Sequence, residues 1–256
     1  MKILVCIKQV ADGESRFDLD ESGHLSLRES ETAFRINRYD EFALEEALQI
    51  RDSLGDVTVE VVSLGPLRVE SSLRRALEMG ADNAYHLIID TSPDTPLARA
   101  RQLAFFAAAR DYDLILTGIQ SEDELWGQTG PSLAALMGWP CATTVIRQEL
   151  NREDRTVTAC REINVNSREM ITLRLPALLS LQSGINRPRY PSLSHKLRAR
   201  KQDIMRIDVG GGTADDNLTI KALHRPRSEK RGLRLEGNLQ EKAEQLRELL
   251  RERSLL

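Results

Sequence analysis

Leu114-Ile115-Leu116-Thr117-Gly118-Ile119-Gln120-Ser121-Glu122-Asp123-Glu124-Leu125-Trp126-Gly127-Gln128-Thr129-Gly130-Pro131 is the stretch from which the fold can be read. Leu114, Ile115 and Leu116 form an apolar run that suits a strand covered on both faces, and it empties into a polar, glycine-containing turn before a helix. In an open α/β sheet, that junction is where nucleotides bind. Gln128 and Thr129 supply neutral hydrogen-bonding groups, while Gly127 and Gly130 let backbone N–H groups approach a phosphate at the helix start. The spacing is neither a Walker nor a Rossmann pattern, so an ordinary strand-to-helix loop is the competing reading of these residues alone.

Working outward, the same kind of run recurs at Ile3 to Ile7, Val57 to Leu64 and Ala84 to Ile89. Helical patterns lie between them. Ala43, Ala47, Ile50 and Leu54 share a face after Asp40, and Leu73, Ala76, Leu77 and Met79 follow Gly65-Pro66. Leu97 to Arg110 and Gly130 to Met137 supply two more helices, so the first 140 residues read as a doubly wound, mostly parallel sheet. From Thr143 to Leu181 the chain is β-rich, with polar turns at Asn151 to Asp154 and Asn166 to Arg168, which predicts antiparallel hairpins extending that sheet. Asn186 to Lys201 carries six basic residues and no acidic one, and reads as a loop entering a short helix. Gly210, Gly211 and Gly212 with Asp215, Asp216 and Asn217 predict a flexible connection. A C-terminal arm follows, a charged helix over Glu236 to Arg253 with Leu239, Ala243, Leu246 and Leu250 on one stripe. The expected organisation is an α/β domain over residues 1–206 and a linker with helical arm over 207–256.

With 256 residues, 41% of them hydrophobic, the chain can bury a sizeable core. Its 36 basic and 39 acidic residues nearly balance, which argues against a protein that coats nucleic acid. Cys6, Cys141 and Cys160 show no metal-ligand spacing and no even framework, as expected in a reducing compartment. No window approaches the ~20 apolar residues needed to span a bilayer, and the first ten residues read as a strand rather than a signal peptide, so the expected location is cytoplasmic.

Asn37-Arg38-Tyr39-Asp40-Glu41 stands before a helix, where Asn37 or Asp40 could cap the helix or contact a ligand through the same terminal donors. Tyr39 could pack on a flavin or adenine ring. Lys8, Gln9 and Asp12 leave the first strand at the edge that faces the ligand crevice. His24, His86, His195 and His224 are scattered, so no catalytic acid, base, nucleophile or metal site is assigned. In the basic segment, Leu193 can anchor and the charges can steer docking to an acidic protein surface.

Several blocks, in order, resemble the β subunit of electron transfer flavoprotein, the FixA-like group included, over about residues 1–206. These are the opening strand Ile3 to Val10, the block from Asn37 to Leu48, the helix ending Ala76-Leu77-Glu78-Met79-Gly80-Ala81-Asp82, Gln120 followed by Gln128-Thr129-Gly130, and Asn186-Arg187-Pro188-Arg189-Tyr190. The resemblance implies one half of a heterodimeric redox carrier. Its α subunit holds the electron-carrying FAD, while the β chain holds AMP, or a second FAD in electron-bifurcating members. It also implies that electrons come from acyl-CoA dehydrogenases or related flavoenzymes, as in fatty acid oxidation, and leave to a quinone oxidoreductase or another acceptor.

Carried over by position, Cys6, Asn37, Arg38, Tyr39, Asp40, Leu64 and the stretch Asp123, Glu124, Leu125, Trp126, Gly127, Gln128 and Thr129 would surround the adenine nucleotide. Tyr39 would lie toward the α-subunit flavin, and Leu193, with Arg189, Tyr190 and Lys196, would dock the partner dehydrogenase. The C-terminal arm would lie on the α subunit. Leu125, Trp126 and Gly127 depart from the family's polar or small loop residues, and Asn164-Val165-Asn166 from its acidic cluster. Pro131 resembles the bifurcating members and Thr129 the ordinary carriers, so AMP and FAD both stay open. The competing function is a stand-alone adenine-nucleotide-binding regulatory protein resembling universal stress proteins. An adenylating enzyme of the related pyrophosphatase fold is disfavoured, because no Ser-Gly-Gly-x-Asp-Ser loop follows the first strand.

Overall fold

The computed structural model describes residues 1–13, 17–19, 25–27, 32–89, 95–164, 166–209 and 232–255. Its centre is β1 (Lys2–Cys6), in which Ile3, Leu4 and Val5 are fully buried. Successive side chains of a strand point to opposite faces, so a run with no polar residue requires cover on both sides. Ile3 and Val5 enter one core with Val59, Val61, Leu114, Leu116 and Leu179, whereas Leu4 enters the other with Val62, Ile115 and Leu178. Each such Leu or Ile contributes roughly 1.5–3 kcal/mol of burial free energy.

Three-residue strands β2 (Gln9–Ala11), β3 (Phe17–Leu19), β4 (Leu25–Leu27) and β5 (Phe34–Ile36) follow, paired β2 with β5 and β3 with β4. Next come α1 (Arg38–Leu54), β6 (Thr58–Gly65), a 3-10 turn at Leu67–Val69, α2 (Glu70–Met79) and β7 (Asn83–Ile88). The chain then crosses through α3 (Pro96–Ala108) to β8 (Leu114–Gly118), α4 (Thr129–Met137) and the strands β9 (Cys141–Asn151), β10 (Thr156–Asn164), β11 (Ser167–Arg174) and β12 (Ala177–Leu181). The first unit's described elements end with α5 (Leu193–Ala199) and β13 (Ile204–Asp208). Residues of α1 and α2 fill one core and those of α3 and α4 the other, so the nine-stranded sheet is doubly wound.

Strand order is β11-β10-β9-β12-β8-β1-β6-β7-β13. β9 through β13 in that order are parallel, and only β10 and β11 run antiparallel to their neighbours. The hairpins at Asn151 to Asp154 and Asn166 are thus where the turn residues predict them. Ala177 to Leu181 differs from the expected hairpin extension: β12 inserts between β9 and β8, parallel to both. All five of its residues are buried, which is the environment of an interior parallel strand rather than a two-faced antiparallel one. β13 was not expected, and it carries the sheet two residues past the 206 boundary. The glycine-rich connection after Val209 lies outside the described residues.

The second unit contains α6 (Leu239–Glu252). Asn238 accepts from the Gln240 and Glu241 amides at 3.0 Å while the Glu241 carboxylate accepts from the Asn238 amide at 2.8 Å, a reciprocal cap that holds a highly charged helix at its start. No helix among the described residues is long and apolar enough to cross a membrane.

Candidate functional site

β1 and β8 are neighbours, but the chain leaves them toward opposite layers, through α1 and α4 respectively. Their carboxyl ends therefore diverge and leave a crevice. The crevice is real: a cleft with about 710 Å³ of atom-free space, partly open to solvent, is walled by Cys6 to Lys8 after β1 and by Thr117 to Ser121 after β8. Leu64, Leu103, Ile119 and Trp126 give it apolar walls, and Gln128 to Gly130 close one end.

That end is the amino terminus of α4. Its first amides have no intrahelical acceptor, and Gln128 at the cap position makes no side-chain capping bond. Gly127 holds φ +64° in the preceding turn. At Gly130 a Cβ would stand 2.7 Å from Thr117 Oγ1 and 3.0 Å from Ser180 Oγ, so the helix start sits directly on β8 and β12. The start of α4, with its unpaired N–H groups, therefore borders the cleft, an arrangement that favours an anion.

Asn37 and Asp40 build the opposite wall, and neither acts as a simple cap. Asn37 makes no capping bond. Its amide donates to the Gln120 carbonyl at 2.9 Å and its oxygen accepts from the Glu122 amide at 3.1 Å, tying the post-β8 loop to α1. Asp40 is buried and accepts from the Lys8 amide at 2.8 Å and the Gly118 amide at 3.0 Å, so one carboxylate pins the ends of both β1 and β8. Burial pushes its pKa up to about 7 despite those two amides, Asn37 and Lys8. Burial, with a contribution from Asp40, also pushes the Cys6 thiol far up, leaving it a neutral wall residue rather than a nucleophile.

Two cations reach the cleft. Lys8 Nζ lies 2.7 Å from Asp123, 3.2 Å from Glu124 and 3.2 Å from Ser121 Oγ. Arg99 makes a bidentate pair with Glu124 at 2.5 and 2.7 Å, while its buried Nε has no partner among the described residues. Burial opposes ionisation of Asp123, but Lys8 outweighs it and holds the carboxyl below its ordinary range. Lys8, Arg99 and Glu124 are thus held in ion pairs and Asp40 in two amide hydrogen bonds, which suits binding and orientation.

Of the expected nucleotide-site residues, Cys6, Asn37, Asp40, Leu64, Glu124, Trp126, Gly127, Gln128 and Thr129 line this cleft, and Arg38, Tyr39, Asp123 and Leu125 do not. Arg38 faces a different groove. Tyr39 is half-buried, its hydroxyl 3.4 Å from the Gln120 amide, and Leu125 is exposed. Asp123 stands behind Lys8. Arg99 went unnoticed in the sequence, although a cation in the early turns of a helix, against the dipole, signals a compensating carboxylate nearby.

In the basic segment, Tyr190 and Leu193 are 92% and 74% exposed. Ser192 caps α5 by accepting from the His195 amide at 3.2 Å, which places Leu193 on the first turn. Arg189 differs from the docking expectation, because its side chain turns to α1 and pairs with Glu45 at 2.9 Å and Asp52 at 2.9 Å. A buried Glu45 also accepts from the Arg189 amide, so Arg189 braces the segment. Lys196 remains exposed on α5.

Residues 24–210 match the family described as the electron transfer flavoprotein domain. The chain is 32% identical to the electron transfer flavoprotein subunit beta of Methylophilus methylotrophus, and 33% identical to that of Bacillus subtilis (strain 168), with 98% of each chain covered in both comparisons. It is 35% identical to the mitochondrial electron transfer flavoprotein subunit beta of Oryza sativa subsp. japonica, over 81% of each chain. Similarity of this extent, centred on the doubly wound domain that carries the cleft, means that the chain belongs to the electron transfer flavoprotein family.

Proposed function

We propose that this chain is the β subunit of a heterodimeric electron transfer flavoprotein, with an adenine nucleotide in the cleft between β1 and β8. The observation that carries the nucleotide assignment is the uncapped amino end of α4 facing that cleft across from apolar walls. The residues fit such a ligand. Thr129 and the first amides of α4 would take a phosphate, the unpartnered Nε of Arg99 is a further donor, and Leu64, Leu103 and Trp126 would flank a planar ring. Lys8 and Arg99 already share their charge with Asp123 and Glu124, so these pairs would orient the loop rather than carry the phosphate alone. AMP and FAD both remain compatible with this donor set.

An α subunit would hold the flavin through which electrons pass, and α6 would lie against that subunit. FAD supplies the redox chemistry, while this chain binds, shields and orients. Electrons would arrive from an acyl-CoA dehydrogenase or related flavoenzyme docked at residues 186–201 and leave to a quinone oxidoreductase or another acceptor. Co-expression with a candidate α subunit tests the reading. A yellow heterodimer is expected, and its denatured extract should release one FAD and one AMP in an ordinary carrier or two FAD in a bifurcating one. A colourless monomer free of adenylate overturns it.

Leu193→Ala is expected to slow second-order reduction of the heterodimer by its dehydrogenase about tenfold, the loss of one apolar interface anchor. Because Leu193 is 74% exposed, stability should change by less than about 0.5 kcal/mol and nucleotide content should not change. Unaltered stopped-flow rates would remove Leu193 from the docking surface.

A further inference from the structure

A second concavity, with about 730 Å³ of atom-free space, lies between the first turn of α1, α2 and residues 187–190. Phe42 and Met79, 7% and 1% exposed, lie beneath it, and the apolar lining that solvent reaches is Tyr190 with Pro188. Its rim is cationic. Arg38 and Arg187 are exposed and have no ion-pair partner among the described residues, while Arg75 pairs with Glu78 at 3.4 Å and, like Arg38, acts electrostatically on Glu41. Glu41 is the one carboxylate lining the groove. Arg189 also lines it but is neutralised by Glu45 and Asp52, so it adds no free charge.

Arg38, Arg75 and Arg187 against Glu41 and the Glu78 beside Arg75 leave the groove a net positive field. Tyr190 stands at its edge with almost its whole side chain in water. Arg, Tyr and Met are the residue types enriched where protein partners bind. The rim continues along the chain into α5, where Leu193 and Leu197 are exposed among Lys196 and Arg198. A free small anion would satisfy the guanidinium groups but leave the Tyr190 ring bare. A peptide segment satisfies both.

We propose that this groove receives an acidic segment of a protein partner, one that sets carboxylates on Arg38 and Arg187 and an apolar side chain against Tyr190 and Pro188. This extends the docking reading above from an inserted Leu193 to a receiving pocket beside it.

The probe is a fluorescein-labelled peptide, Asp-Glu-Phe-Glu-Asp, titrated against the full-length chain by anisotropy, beside its uncharged counterpart Asn-Gln-Phe-Gln-Asn. The acidic peptide is expected to bind about tenfold more tightly or better, and the preference should shrink as salt rises. Arg38→Glu/Arg187→Glu should weaken it about tenfold, whereas Arg168→Glu/Arg174→Glu, a charge-matched pair of changes on the exposed edge strand β11, should leave it within about twofold. Equal affinity for the two peptides, no binding of either, or full affinity in the double variant overturns the proposal. The titration uses no flavin, nucleotide or dehydrogenase, so its failure and that of the electron-carrier reading are separate results.

Discussion

Gly118→Ala should destabilise the fold by about 4 kcal/mol or prevent its formation, a loss at the upper end for a single substitution. Gly118 ends β8 exactly where α1 crosses it. An alanine Cβ there would stand 2.6 Å from the Tyr39 Cβ and 2.8 Å from the Tyr39 carbonyl carbon, with the Asp40 carboxylate oxygen closer still. Two of these three atoms are fixed by the helix backbone and cannot swing aside, so the strain falls on the packing of α1 against β8, typically 1–3 kcal/mol. Any shift also breaks the 3.0 Å bond from the Gly118 amide to Asp40 and leaves a buried carboxylate with one amide donor fewer, about 1–3 kcal/mol more. Gly138→Ala is the matched comparison. Gly138 ends α4 at φ +66° with open space around it, so the change costs only the backbone penalty of about 1 kcal/mol. Urea unfolding of both variants checks the prediction, and unfolding free energies that differ from each other by less than about 1 kcal/mol would refute the contact argument.

The same contact shows why the fold was more legible than the site. β1 and β8 could be read from continuous apolar runs because both faces of the central sheet are covered, and β6 from a run interrupted by Glu60 and Ser63. α2 could be read because it buries one stripe at helical spacing, whereas α1 is buried on most of its circumference and shows its period in Ala43, Ala47 and Ile50. β2 to β5 are three residues each, too short for any period to emerge. Ala177 to Leu181 reads as a strand, but its insertion beside β8 is a long-range pairing that no local pattern encodes. β13 is an edge strand with only partly buried Ile204 and Ile207, so its apolar signal is weak. In the cleft, the residue types at 123–129 pointed to a ligand loop. The partners of Asn37 lie more than eighty residues away, however, and a helix-start asparagine looks the same whether it caps or staples. Arg99 is invisible for the same reason: its role exists only because Glu124, on another connection, folds over it.

Between pH 5 and pH 8 the chain should lose about 3 kcal/mol of stability through Asp40 alone. The ordinary value for its carboxyl is 3.8 and the folded value is about 7, raised by burial against the opposing pull of the Lys8 and Gly118 amides, Asn37 and Lys8. In the interval between those values the native state keeps a proton that the unfolded chain has released, so stability falls as pH rises, by about 1.4 kcal/mol per pH unit. Below the interval both states are protonated and above it both are ionised, so the slope vanishes at either end. Glu41, whose folded value burial raises, acts with the same sign as Asp40; Glu70 and Asp123, whose folded values are depressed, act with the opposite sign at lower pH, and the raw profile sums all four. A difference isolates Asp40. Asp40→Asn cannot titrate, keeps one acceptor for the two amides, and should cost a constant about 1–3 kcal/mol for the one it cannot serve. The wild-type advantage over Asp40→Asn should therefore shrink by about 3 kcal/mol from pH 5 to pH 8, measured by urea midpoints at each pH. Because Asp40 pins the ends of β1 and β8, which wall the cleft, nucleotide retention should loosen over the same range in the wild type and stay flat in the variant. Parallel stability profiles for the two proteins would show that Asp40 is ionised throughout, and that its two amide donors prevail over its burial.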